Sequence, residues 1–214
     1  MIQYIYSLIP SIFEGLKITI KIFIITVALS IPLGFFVALC RLSTIKIISK
    51  VTQFYIWIMR GTPLLLQLVL IFFGLPYVGL VFNRSTAAFI AFILNYGAYF
   101  GEIFRSGIQS IDKGQYEAGE VLGLSKTHIF IRIILPQVIK RVIPPVANEV
   151  ITLIKDTSLV YVVGIGELLR AGKIASNRDA SLMPLVLIGI IYLILTAILT
   201  RGFNLLEKKY EYYQ

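Results

Sequence analysis

One cysteine, Cys40, sits inside an apolar run, so no disulfide can form within the chain. The one histidine, His128, has no Cys/His cluster around it, which argues against zinc, and no other metal site is expected. Charge is scarce: Asp, Glu, Lys and Arg make up 14% of the 214 residues, against roughly 25% in soluble domains. The net charge is +9, but no basic stripe interleaved with polar residues carries it, so nucleic acid is not an expected partner. No small-residue cleavage site follows a short apolar stretch near Met1, and a removable signal peptide is not expected. Gly123-Leu124-Ser125-Lys126-Thr127 lacks the Gly-Lys pairing and the upstream glycine of a phosphate-binding loop, so ATP should not bind here. No nucleophile, metal cluster or acid/base dyad with an acceptor is evident, and an enzyme is the weakest functional class.

What the chain has is apolar length. Hydrophobic residues make up 57% of it. A helix crossing a hydrocarbon layer of ~30 Å at 1.5 Å per residue needs about 20 residues. Five stretches qualify: 13–42, 51–75, 86–108, 136–157 and 182–206. The expected fold is all-α: a polytopic membrane protein with five transmembrane helices and a cytoplasmic coupling-helix loop at 109–135, forming a single domain over 1–214. Pro32-Leu33-Gly34 can kink the first span, and Pro63 after Arg60-Gly61-Thr62 should break or bend the second. Such breaks at membrane depth border cavities or buried protein, although Arg60 itself reads best as snorkelling to the surface. Residues 161–170 are too short to span and read as an external or re-entrant helix. The tail 207–214, with three tyrosines, reads as an interfacial helix end.

Lys and Arg sit mostly at the ends of these runs. With the 109–135 loop cytoplasmic, that side holds twelve: Arg41, Lys46, Lys50, Arg105, Lys113, Lys126, Arg132, Lys140, Arg141, Arg201, Lys208 and Lys209. The other side holds six, Lys17, Lys21, Arg84, Arg170, Lys173 and Arg178, with Arg60 and Lys155 within or near the layer. The bias places the N-terminus outside and the C-terminus inside, and an odd number of spans agrees.

The polar island at 115–136 has its own geometry. Residues 117–122 can form a short helix whose Ala118 and Gly119 let another backbone approach closely. Gly123 can take the positive φ that ends it, and Ser125 or Thr127 can cap a second helix. Two short helices meeting at a glycine elbow make a knob for a groove on a partner.

Charges inside spans are costly in hydrocarbon and face a cavity or a partner. Asn95, Tyr99, Glu102, Ser106 and Gln109 recur every three or four residues, a polar stripe down one face of the third span. Glu149, Thr152 and Asp156 do the same on the fourth, with Asn148 and Lys155 on adjacent edges. Glu102 and Asp156 are thereby available to a common cavity as substrate ligands, with Asn95 and Thr152 beside them and Tyr96 and Tyr99 able to line it. The competing reading is internal pairing, of Glu102 with Arg105 and of Asp156 with Lys155 or Arg60.

Glu117-Ala118-Gly119, three residues, Gly123, nine residues, Ile133, one residue, Leu135-Pro136 resembles the coupling loop of permease subunits of ATP-binding cassette importers, with Gly119 where a second Ala is usual. Three more stretches resemble the subfamily that imports polar amino acids: Arg60-Gly61-Thr62-Pro63-Leu64-Leu65-Leu66-Gln67, the run 96–108, and Lys155-Asp156-Thr157-Ser158-Leu159. The resemblance implies a multi-pass subunit of the bacterial plasma (inner) membrane that pairs with an identical or homologous permease. It also implies two ATP-binding subunits, which carry the ATP and Mg so that this chain needs no cofactor, and an extracytoplasmic binding protein that delivers the amino acid. Glu117, Ala118, Gly119 and Gly123 would couple to the ATPase; Glu102, Asp156, Asn95, Tyr99, Thr152 and Ser158 would bind substrate during alternating access. Two buried carboxylates favour a cationic substrate such as arginine, lysine or histidine. Glutamine or another polar amino acid is the alternative, and a passive channel is the alternative from another class.

Overall fold

The computed structural model describes residues 2–211, which are helical with no strand among them. The first helix, α1 (Ile2–Arg41), begins well before the expected residue 13 and runs unbroken through Pro10 and Pro32. It is followed by α2 (Lys46–Gly61), α3 (Leu64–Val69) and α4 (Arg84–Gln109). Two short helices, α5 (Lys113–Val121) and α6 (Lys126–Ile129), precede α7 (Leu135–Asp156), α8 (Leu168–Asp179) and α9 (Met183–Glu211). Of the C-terminal tail, Tyr212, Tyr213 and Gln214 lie outside the described residues.

Among the described residues, three helices are long and apolar enough to cross a membrane: α1, α4 and α9. A fourth span arises if α2 and the helical stretch Leu64–Val78 count as one, bent by 103°. The expected fourth span, α7, does not qualify by composition, because it carries Lys140, Arg141, Glu149, Lys155 and Asp156. The protein is thus a multi-helix membrane protein, and length and composition alone do not reach the expected count of five.

Helix α4 is the centre. In lipid, helices associate through close packing rather than through the hydrophobic effect, so small residues mark the contact. A Cβ on Gly101 would lie 2.5 Å from Val37 Cγ1, and one on Gly34 would lie 2.5 Å from Phe100 Cβ. Gly34, expected only as part of a kink, is thus a seat for α4. Ile22, Leu64, Leu68, Phe92, Phe100, Leu153 and Val160 pack around this contact as the main core. The outer face of α9 does the reverse, leaving Val186, Leu193, Ile194 and Ile198 exposed, as expected of a surface solvated by lipid.

The break in the second span is as the sequence predicts. Thr62 is extended (φ −123°, ψ 147°), and Pro63 leads into α3. The break frees backbone carbonyls, and two amides answer them. Gln67 Nε2 donates to Met59 O (3.0 Å) and Thr62 O (3.2 Å), while Asn95 Nδ2 donates to Met59 O (2.8 Å) and Gln67 Oε1 (3.1 Å). Residues 161–170 are not one helix: a 3-10 turn ends at Val163, Gly164 turns left-handed, and α8 begins only at Leu168. Glu167 caps α8 by accepting from the Leu169 and Arg170 amides. At the other end of α8, Asp179 accepts from the Tyr4 hydroxyl at 2.7 Å. The Arg178 guanidinium, with help from Tyr4, pulls its pKa down to about 2.

Candidate functional site

Helices α4 and α7 run antiparallel beside the broken span, and two cavities are stacked along them. The first, about 490 Å³, is walled by Arg60 to Leu64 at the break, by Asn95, Tyr96 and Tyr99 of α4, and by Glu149, Thr152 and Asp156 of α7. The second, about 520 Å³, lies further along α4 at Glu102, Ser106 and Ser110, and is closed by Arg141, Val142 and Pro145 of α7. Arg60, Tyr99 and Glu149 line both, so they form the neck between them. From Tyr96 to Ser106 the two cavities border roughly 15 Å of α4 at 1.5 Å per residue.

The stripes on α4 and α7 do converge, but the two expected carboxylates do not share a cavity. Glu102 lines the second cavity and is paired one turn on, accepting from Arg105 Nε at 2.8 Å. Arg105 also donates to Gln109, which takes that member of the stripe out of the path. Asp156 lines the first cavity and pairs with neither Lys155 nor Arg60: it accepts from the Tyr96 hydroxyl at 2.8 Å. Spacing could not show this bond, because it joins residues sixty apart in the chain. Asn95 and Thr152 stand in the same wall, although Asn95 spends its amide on the helix break. Ser158 lines neither cavity. Glu149, one turn from Thr152, is the site residue that the sequence reading left outside its set of ligands.

Arg60 is exposed, as the snorkelling reading requires, and it also lines both cavities. Its guanidinium lies over the Tyr99 ring, 5.1 Å from the centroid, at the neck.

The polar island folds as two helices around an elbow. Asp112 caps α5 by accepting from the Gly114 amide, and Ser125, not Thr127, caps α6 by accepting from the His128 amide. Gly123 has φ +73°; its N–H bonds Glu120 O and that of Leu124 bonds Gly119 O, the double bond pattern that ends a helix on a left-handed residue. Gly119 is buried against Ile129, whose Cγ1 would be 2.7 Å from an added Cβ. Its smallness therefore closes the elbow on itself rather than admitting a partner's backbone. What faces outward is Glu117, Ala118 and the tip, with Val121 88% and Leu122 75% exposed. Behind the elbow, Pro136 has no N–H for the carbonyl one turn back. A π turn at Phe130–Ile134 absorbs the mismatch before α7 carries the chain to the cavities.

Residues 30–212 match a family described as binding-protein-dependent transport system inner membrane component. The chain is 40% identical over 203 residues to the arginine transport system permease protein ArtQ of Bacillus subtilis (strain 168), covering 94% of this chain and 93% of that one. It is 36% identical over 206 residues to the L-cystine transport system permease protein TcyB of the same organism, covering 95% and 88%. A solved amino acid ABC transporter with histidines superposes with a TM-score of 0.90 at 35% identity, covering 96% of each chain. The fold, the coupling elbow and these likenesses agree: the chain belongs to the binding-protein-dependent inner membrane components, as an amino-acid permease subunit of the ATP-binding cassette transporters.

Proposed function

We propose that this permease subunit imports a cationic amino acid, with arginine, lysine and histidine as the candidates, by alternating access driven from separate ATPase subunits. The observation that carries the reading is the charge of the first cavity. Its wall contains Glu149 and Asp156 against one cation, Arg60, and neither carboxylate is in an ion pair. With all three ionised the wall carries one net negative charge. A substrate of net charge +1 neutralises it, whereas a neutral zwitterion does not, and unlike charges attract strongly where water is scarce. The name of the arginine relative agrees with this reading, whereas relatives named for glutamine and L-cystine favour an uncharged substrate. Asp156, Glu149, Thr152 and Tyr99 are the substrate ligands in this reading; Glu102, already paired, lines the onward path.

The whole chain acts as one permease domain beside a second, identical or homologous permease. Two ATP-binding subunits hold the ATP and Mg and dock on the elbow at Glu117, Ala118, Val121 and Leu122. Ile129 and the π turn pass the elbow's movement to α7, and an extracytoplasmic binding protein delivers the amino acid. The N-terminus is outside and the C-terminus cytoplasmic, so a reporter after Gln214 should read as cytoplasmic and one near Asn83 as external.

The test is uptake and ATPase stimulation by the reconstituted complex with its binding protein, across arginine, lysine, histidine and glutamine. Stimulation by a cationic member above glutamine is expected. A clear preference for glutamine overturns the charge argument, and flux without ATP favours a passive channel. The second reading, an uncharged polar substrate, has one structural observation in its favour: Arg60 in the same wall offsets one carboxylate and leaves the other for an α-ammonium group.

A further inference from the structure

The charged groups of the two cavities are not equally engaged. Glu102 is held by Arg105, Asp156 by Tyr96, and Arg141 donates to the carbonyl and hydroxyl oxygens of Ser110. Arg60 alone among the charged groups that both cavities share is a cation, and among the described residues it has no hydrogen bond or ion pair through its guanidinium. Its contact is the face of Tyr99, which positions a cation but offers no in-plane acceptor for its N–H fork. The position is also fixed from behind. Arg60 is in the last turn of α2, and the backbone around it is tied by Gln67 and Asn95. Glu102 and Glu149 line the same walls and attract the exposed guanidinium through space, but neither is bonded to it. Its fork is therefore open to a carboxylate, which it can bind through two parallel hydrogen bonds.

An amino acid presents one anionic group, its α-carboxylate. Given the reading above, in which the first cavity receives the substrate, Glu149 and Asp156 can answer only cations. We propose that Arg60 binds the α-carboxylate of the transported amino acid at the neck. It thereby restricts the path to α-amino acids against amines that carry the same side chain. Tyr99 is then a positioning residue for Arg60, and the substrate lies with its backbone towards the neck and its cationic end towards Asp156.

The experiment is equilibrium binding to the permease–ATPase complex in lipid nanodiscs without the binding protein, so that no upstream selection intervenes. The probes are L-arginine, L-lysine and L-histidine, each against its decarboxylated amine. The intact complex should bind at least one amino acid about 10- to 100-fold more tightly than its amine, the range of a lost charge-assisted pair. Arg60→Met should remove that preference by weakening the amino acid without weakening the amine, which loses a like charge from its surroundings. Arg60→Lys, which keeps the charge but not the fork, should fall between. Asp156→Asn should weaken acid and amine alike. An Arg60→Met complex that retains the preference, or that loses acid and amine equally, overturns the proposal while leaving the cavity as the substrate path. If the intact complex binds none of the probes, or if Asp156→Asn and Arg60→Met both leave binding untouched, the substrate-path reading fails and takes this proposal with it.

Discussion

The two cavities along α4 and α7 have walls of similar make-up but carboxylates in opposite situations. In the second, Glu102 is neutralised by an arginine three residues away on its own helix. In the first, Asp156 accepts from a phenol on another helix and, among the described residues, is in no ion pair. The difference shows that a carboxylate inside a span is not a substrate ligand by position alone. Its partner decides, and partners within one helical turn serve the helix before they serve the path. The same contrast separates Arg105, fully engaged, from Arg60, which is not.

Helix α4 is the wall that both cavities share, and the largest effect should come from displacing it. Gly101→Val would set a branched side chain where even a Cβ lies 2.5 Å from Val37 and 3.4 Å from the Gly34 carbonyl oxygen. Overpacking of this kind costs about 1–3 kcal/mol or more. Membrane abundance should fall several-fold and both cavities should be lost together, measured as folded protein by fluorescence-detected gel filtration. Normal abundance with intact transport would show that the α1–α4 contact does not hold the path.

Next in size is the contrast itself. Asp156→Asn keeps shape and removes charge, so uptake of the cationic substrate should weaken by about 10- to 100-fold, the worth of a charge-assisted hydrogen bond of roughly 1.5–3 kcal/mol, at normal abundance. Glu102→Gln should act in the other direction. It strands the partly buried Arg105, so abundance should fall while the apparent affinity of the protein that remains changes little. Parallel measurement of abundance and uptake separates the two, and identical behaviour of both variants would dissolve the distinction.

The sequence made some of this legible and hid the rest for a physical reason. Helix periodicity located α4 and α7 and the polar faces that meet, and local chemistry located the break at Pro63 and the elbow at Gly123 and narrowed the cap to Ser125 or Thr127. Glu102 with Arg105 was also within reach, since three residues on a helix are neighbours. Tyr96 with Asp156 and Arg60 over Tyr99 were not, because each depends on how separate helices cross. Gly119 misled for the same reason: a small residue announces a close approach but not whose atoms approach, and here they belong to Ile129. The count of spans stays open to composition because α7 buys its polar face with hydropathy.

The smallest predicted effect tests the link between Tyr96 and Asp156. Tyr96 is almost fully buried, and its ring packs against Tyr99 and Phe100. Tyr96→Phe therefore keeps the packing and deletes only the hydroxyl that donates to Asp156 Oδ2 at 2.8 Å. A hydrogen bond to a charged group is worth about 1.5–3 kcal/mol, but the Thr152 hydroxyl stands in the same wall as an alternative donor, so part of that is recovered. A net cost of about 1 kcal/mol, or about fivefold in the apparent affinity for the cationic substrate, is expected. If the hydroxyl acts by holding the carboxylate in place, its removal should cost nothing further once the carboxylate charge is gone. The double variant Tyr96→Phe with Asp156→Asn should then match Asp156→Asn alone. If Tyr96→Phe costs the same in both backgrounds, the hydroxyl acts on the substrate or the fold directly, and Asp156 is not positioned by Tyr96.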